Sequence, residues 1–263
     1  MLAKVAAVIS LAVAVWVAAA APAARRWAKY EAEMQNPADD PPDAWEKTEF
    51  AFARLRYRSV RDGRWRGRWG TDANKSERQF IQGLRRLTRI HARSVEEIVD
   101  IDSDDIYDWP WIYAVGVGDW NLSEPQARRL RQYFERGGTL MVDDFHNERE
   151  WANFMAGLNR ALPGHEMRDL EDGDQILHTA YDLTHRFRVP GLNVVHGSQI
   201  ERGGVDPHFR AVFDDRGRVQ VQICFNMDLG DAWEWADLPE YPEKYASMAY
   251  RIGVNYILYT LTH

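Results

Sequence analysis

The chain has 263 residues, 45% of them hydrophobic and 28% charged, the balance of a globular protein with enough apolar side chains for a sizeable core. A formal net charge of -7 argues against a general nucleic-acid binder, whose phosphate contacts demand a basic surface. The single cysteine, Cys224, excludes an intramolecular disulfide and cysteine-rich zinc sites, so stability has to come from the core.

From Val5 to Ala21 the only strongly polar residue is Ser10, and small residues follow to Ala24, with Ala21-Pro22-Ala23 offering a signal-peptidase site. Residues 1–24 therefore read as a signal peptide. An uncleaved membrane anchor is the alternative, because Val5 to Ala24 approaches the ~20 apolar residues that span a bilayer. Either way the expected location is extracytoplasmic, periplasmic or secreted, with the membrane touched only through this segment. Residues 25–48 read as a polar linker, since Tyr30 to Lys47 is rich in Pro, Asp, Asn and Glu without an apolar period. Residues 49–263 form the single domain.

Within the domain, Glu49 to Tyr57 reads as a strand and Arg61 to Trp69 as a loop. Asn74 or Ser76 caps a helix with Phe80, Ile81, Leu84 and Leu87 on one face. Trp111 to Val115, between Pro110 and Gly116, is a buried strand. Ser123 and Gln126 form a capping box for a helix with Ala127, Leu130, Tyr133 and Phe134 inward, which Gly137-Gly138 stop. Thr139 to Val142 is the next strand, and Asn147 with Glu150 caps a helix carrying Trp151, Phe154, Met155 and Leu158. This alternation specifies an α/β fold, an open, mainly parallel sheet with helices on both faces. Beyond about Pro163, the stretches Gln175 to Tyr181 and Asn193 to Gln199 resist assignment. A hairpin follows, Phe209 to Phe213 and Val219 to Asn226 around Asp214-Asp-Arg-Gly217, with the alternation of a sheet buried mainly on one side. A final helix from about Pro242 places Tyr245, Met248, Ala249, Ile252 and Tyr256 on one stripe.

Four separated motifs carry a resemblance: Phe52-Ala-Arg-Leu-Arg-Tyr57, Leu130-Arg-x-Tyr133 with Gly137-Gly-x-Leu-x-x-Asp143-Asp144, Asn226-x-Asp228-x-Gly-Asp231-x-Trp-Glu-Trp235, and Gly253-x-Asn255 with Tyr259-x-Leu-Thr262. Over nearly all of 49–263 the chain resembles domain-of-unknown-function family 4159 of bacterial proteins. The resemblance implies a relative of the class I glutamine amidotransferase-like fold, an open flavodoxin-like sheet, and supplies no reaction. Similar domains are often attached to or encoded beside membrane proteins with von Willebrand-type domains, which implies a membrane-protein partner. Active amidotransferases place a Cys on a sharp turn after a central strand. The matching turn here, Val115-Gly-Val-Gly-Asp119, has none, and Cys224 reads as a packed thiol within a strand, so glutamine hydrolysis is not expected.

Two segments hold candidate chemistry. Asp143-Asp144-Phe-His146 follows a buried parallel strand, where open α/β sheets bind ligands. Its carboxylates and imidazole could hold a divalent metal or act as acid and base, or one Asp could cap a helix while the other is solvated. Asn226-Met-Asp228-Leu-Gly-Asp231-Ala-Trp233-Glu234 is dense in oxygen ligands and indoles. It could wrap a hard cation, or form a turn whose Asp residues satisfy their own backbone. Asp143, Asp144 and Asp228 are the metal candidates. Gly116-x-Gly118 lacks the third glycine of a dinucleotide fingerprint, so no nucleotide is expected. His178, His185, His196 and His208 lie in the unassigned region, where one could complete a site. The run of Arg54, Arg56, Arg58, Arg61, Arg64, Arg66 and Arg68 with Tyr57, Trp65 and Trp69 fits either anionic glycans or a solvated loop.

The function expected is binding of a carbohydrate or other cell-envelope ligand by Asp143, Asp144, Asp228 and Asp231, with Trp233 as a stacking platform. A metal-assisted hydrolase of envelope glycans and a non-catalytic scaffold for a membrane assembly are the alternatives. The binding and hydrolase readings require the two acidic segments to meet; if they do not, only the scaffold remains.

Overall fold

The computed structural model describes residues 40–60, 68–198 and 200–263. Residues 1–39, which hold the expected signal segment and most of the expected linker, residues 61–67 and Gln199 lie outside the described residues. Among the described residues, no helix is long and apolar enough to cross a membrane.

Seven strands, β1 (Ala53–Arg56), β2 (Glu97–Asp100), β3 (Trp111–Val115), β4 (Thr139–Phe145), β5 (Met167–Asp169), β6 (His208–Phe213) and β7 (Val219–Phe225), form one sheet in the order 2-1-3-4-7-6-5. Strands 2-1-3-4-7 are mutually parallel, and β6 and β5 extend the sheet antiparallel. The parallel part has the doubly wound order of flavodoxin-like sheets, with β7 as its fifth strand. Helices α1 (Lys75–Leu87), α5 (Leu229–Glu234) and α6 (Glu243–Thr262) cover one face, packing on Phe52, Trp111, Tyr113 and Met141. Helices α2 (Glu124–Glu135) and α3 (Asn147–Ala161) cover the other, over Leu55, Ile112, Val142 and Ile223. A single turn, α4 (Leu192–Val195), lies in the connection between β5 and β6.

The expected capping box closes α2 through Ser123 and Gln126. Asn147 Oδ1 accepts from the N–H groups of Arg149 and Glu150, and Glu150 Oε2 accepts from His146 N–H in return, so this pair closes the first turn of α3 as its sequence implies. Elsewhere the structure corrects the reading. Asn74 stands at the start of α1 without a side-chain cap, and Leu87 at its end is half exposed, because the apolar stripe ends with Leu84. Strands β2 and β5 have too few residues for a period and were not expected. Residues 40–47 belong to the domain surface rather than a free spacer: Ala44 is buried, Asp40 pairs with Arg78, and Asp43 accepts from Ser94.

The hairpin is not buried on one side only. Every residue of β7 is buried, because the strand inserts beside β4 in the middle of the sheet. Gln222 within it is satisfied, accepting from Trp111 Nε1 at 3.1 Å and donating to Tyr256 O at 3.0 Å. Of the arginine run, Arg61, Arg64 and Arg66 lie outside the described residues, and Arg54 and Arg56 are not solvated. Arg54 is fully buried, donating to Glu77, to Trp69 O at 2.9 Å and to Thr71 O at 2.8 Å, while Arg56 pairs with Asp100. Arg54 thereby holds the loop after β1 over the sheet end. Arg54→Met should cost about 3–5 kcal/mol by leaving Glu77 buried and unpaired, and adding Glu77→Leu should recover much of it. Urea denaturation of the single and double variants checks this, and equal loss in both would contradict it.

Candidate functional site

At the carboxyl end of β4 the register with β7 slips between Val142 and Phe145, yet both of these side chains pack on the α2/α3 face. The residue absorbed is Asp144, whose φ of 52° places it in the left-handed region. Two adjacent aspartates thus leave the strand in different directions. Asp143 Oδ2 accepts from Tyr113 Oη at 3.0 Å and from the N–H groups of Leu229 at 2.8 Å and Gly230 at 3.0 Å, so it caps α5 across the sheet. Asp144 is gripped by Arg68 and Arg202, and His146 Nε2 lies 3.3 Å from its Oδ1.

The second acidic segment arrives at the same place. Asp228 caps α5, accepting from Asp231 N–H at 2.8 Å, and Asp231 accepts from Leu192 N–H at 2.7 Å and Trp235 Nε1 at 3.3 Å. Glu201 joins the halves: its Oε2 accepts from Gly191 N–H at 3.2 Å and stands 3.8 Å from His146 Nε2. Gly191 has an ordinary φ of -67°, but a Cβ there would lie within 3.0 Å of oxygens of Glu201, Asp231 and Asp228, so crowding by carboxylates, not backbone freedom, requires the glycine. Asp72, on the loop held by Arg54, reaches Asp231 and Glu234.

The electrostatics divide the acids into two sets. Burial would raise the Asp144 carboxyl, but Arg68 and Arg202 outweigh it and hold the group far below the usual range. Asp143 has no bound guanidinium, and burial, reinforced by the charge of Asp144, pushes it up to about 8. Burial and then the charge of Asp231 raise Asp72 and Asp228 well above the ordinary value, and burial also raises Asp231. Left-handed φ values at Asp72, Asp144, Asn147, Arg202 and Asn226 are all found at this end of the sheet, as at sites where surrounding structure over-determines the backbone.

A family model matches residues 51–261. The chain belongs to the family described as domain of unknown function DUF4159. No curated protein matches the chain. In this DUF4159 domain the motifs quoted from the sequence fall on β1, on α2 through β4, on β7 through α5, and on α6. The middle two carry the acidic segments.

Of the expected site residues, Asp143, Asp144, His146, Asp228, Asp231 and Glu234 come together, though Asp143 and Asp228 also act as helix caps. Neither Asp143 nor Asp144 is solvated. Asn226 is a bracket: its Oδ1 accepts from Asn147 N–H at 3.0 Å and its Nδ2 donates to Asp206 O at 2.7 Å. Trp233 is no platform. It is fully buried against Phe52, Phe80 and Tyr113, with ring centroids at 6.0, 4.6 and 5.7 Å. His178, His185 and His196 are exposed, and His208 faces Asp169. Asp72, Glu201 and Arg202 were missed, having no distinctive spacing. Arg68 was visible only as one of a run. Gly116, at φ 66°, and Gly118 let Arg68 and Glu150 approach the turn after β3, since a Cβ on either would collide with those side chains.

These shifts set the pH dependence. Asp72, Asp143, Asp228 and Asp231 are raised on folding, so their contribution is complete below about pH 4 and is lost as pH rises through the folded values. Asp144 is lowered, so its contribution is lost only on strong acidification. The cation-free domain is therefore expected to lose stability between about pH 5 and pH 8. Urea midpoints measured in chelator check this, and Asp143→Asn should flatten the decline because its carboxamide has no proton to lose. A midpoint that climbs with pH would contradict the assignment.

Proposed function

We propose that the chain is an extracytoplasmic domain that binds a hydroxyl-rich ligand of the cell envelope, a carbohydrate by class, over the carboxyl ends of β3, β4 and β7. The observation that supports this is the meeting of the two acidic segments, with partly exposed Arg68, Arg202, Asp231 and Glu234 above buried Asp143, Asp144 and Asp228. Neighbouring hydroxyls donate to carboxylates while accepting from guanidinium groups, so a mixed rim of both suits a sugar ring. The extracytoplasmic setting rests on the apolar run Val5 to Ala24.

A metal-assisted hydrolase is the second reading, favoured by the gathering of Asp72, Asp231 and Glu234 into one set of oxygen ligands. A Cys-dependent amidotransferase is not proposed. The Cys224 thiol is buried within β7, where burial pushes its pKa up, and Gly116 occupies the turn after β3.

Thermal-shift and calorimetric titrations of the full chain with peptidoglycan fragments and with neutral and acidic polysaccharides test the binding reading. A rise in Tm with one glycan class, lost in Arg202→Met and Asp231→Asn, is expected. Turnover of that glycan, lost in the same variants, would shift the assignment to hydrolase. No response to any glycan, with a membrane protein recovered by cross-linking, would leave the scaffold.

A further inference from the structure

The hairpin that inserts β7 into the sheet also shapes the opposite end of the molecule. Val219 begins β7 there, and the seven residues of the strand set it about 20 Å from the acidic segments. A cleft of about 790 Å³ lies between the turn after α3, the loop after β5, the hairpin turn and the last turns of α6, within the ~300–1,000 Å³ usual for ligand sites. Its walls are fixed in advance. Asp174 accepts from both Nη atoms of Arg168 at 2.7 Å and from Glu171 N–H at 2.7 Å, and Asp214 accepts from the N–H groups of Arg216 at 2.9 Å and Arg218 at 2.8 Å. Such walls need little ordering when a ligand arrives.

The lining is one-sided in charge. Glu166, Asp174, Asp214 and Asp215 supply four carboxylates against one guanidinium, Arg168, which is bound to Asp174 and lies 4.3 Å over the Phe213 ring. Asp174 and Asp214 are occupied within their own loops. Glu166 and Asp215 are exposed, Glu166 no nearer than 3.7 Å to Arg168 Nε and Asp215 without a partner among the described residues. Tyr259, 6% exposed, lines the cleft too: its Oη accepts from Val219 N–H at 3.4 Å, and no described residue accepts its proton. A buried hydroxyl donor and two open carboxylates in one cleft suit a ligand that carries both a carbonyl and positive charge.

We propose that this cleft docks a basic peptide segment of a partner protein, with a backbone carbonyl accepting from Tyr259 Oη and Lys or Arg side chains meeting Glu166 and Asp215. The alkyl stems of those side chains cover Ile176 and Val219, both buried, and half-buried Phe213. A free polyamine would satisfy the carboxylates and leave the hydroxyl unmatched. The site stands apart from the strand ends that carry the glycan reading and does not depend on it.

Fluorescence anisotropy of the full chain with a labelled Ala-Lys-Ala-Arg-Ala-Lys peptide and with its Glu-substituted counterpart tests this. The basic peptide should bind, less tightly as salt rises, and the acidic one should not. Glu166→Gln combined with Asp215→Asn should weaken binding about three- to tenfold, as loss of two exposed ion pairs does, and leave Tm unchanged. Gly173→Tyr should abolish binding. Gly173 lines the cleft at an ordinary φ, and a Cβ there meets nothing within 4 Å, so the ring has room and the chain still folds, which its Tm checks. A benzophenone-bearing copy of the peptide should label residues 163–176 or 213–219. The proposal is overturned if the basic peptide does not bind, if the acidic one binds equally, if spermidine displaces the peptide at equal concentration, if the label falls on residues 228–234, or if binding survives in both variants.

Discussion

The Asp143 carboxyl group is the constraint on which the acidic end of the sheet depends. It sits fully buried where β4 ends and accepts from a β3 tyrosine and from two backbone N–H groups of α5. A helix of six residues has no stability of its own, so α5 exists because its first turn is pinned to the sheet and its Trp233 fills the core. Burying a carboxyl group is costly, and three converging donors offset that cost only while all three elements are in place. Through this one group the end of the central strand dictates where Asp228, Asp231 and Glu234 stand.

Charge is distributed around that pin in an uneven way. On one side Asp144 is matched by Arg68 and Arg202, with Glu150 3.6 Å from Arg202 and 3.8 Å from Arg68, a closed network that needs no further partner. On the other side Asp72, Asp228 and Asp231 raise one another's charge cost, with Asp228 accepting from a backbone N–H and Asp231 from a backbone N–H and the Trp235 indole. The first arrangement holds loops together. The second stores repulsion that a cation, a proton or a polar ligand relieves, and this asymmetry distinguishes the cluster from an ordinary set of caps.

The glycines near the site express the same crowding. Gly116 supplies a left-handed turn after β3 and admits Arg68, and Gly191 and Gly230 make room for carboxylates. A catalytic thiol at the turn after β3 would have to displace Arg68, so the turn serves the ion-pair network. The scaffold gathers acids and arginines at the strand ends, where doubly wound sheets commonly bind ligands.

Local signals in the chain were enough to specify the alternation of β3, α2, β4 and α3, the β6–β7 hairpin and the terminal helix, because apolar periods, capping residues and glycine stops act within a few residues. They also marked both acidic segments, since aspartates right after a strand or spaced three apart are visible without a fold. Tertiary structure alone decided that β7 enters the middle of the sheet, which buried both of its faces and took Trp233 out of play as a platform. It also decided which acids are neutralised. Asp72, Glu201 and Arg202 stand in loops without periodicity, and only the folding of those loops over one sheet end, with Arg54 bonded to the carbonyls of Trp69 and Thr71, brings them to Asp144 and Asp231. Contact between residues far apart in sequence arises from packing, and no local pattern encodes it.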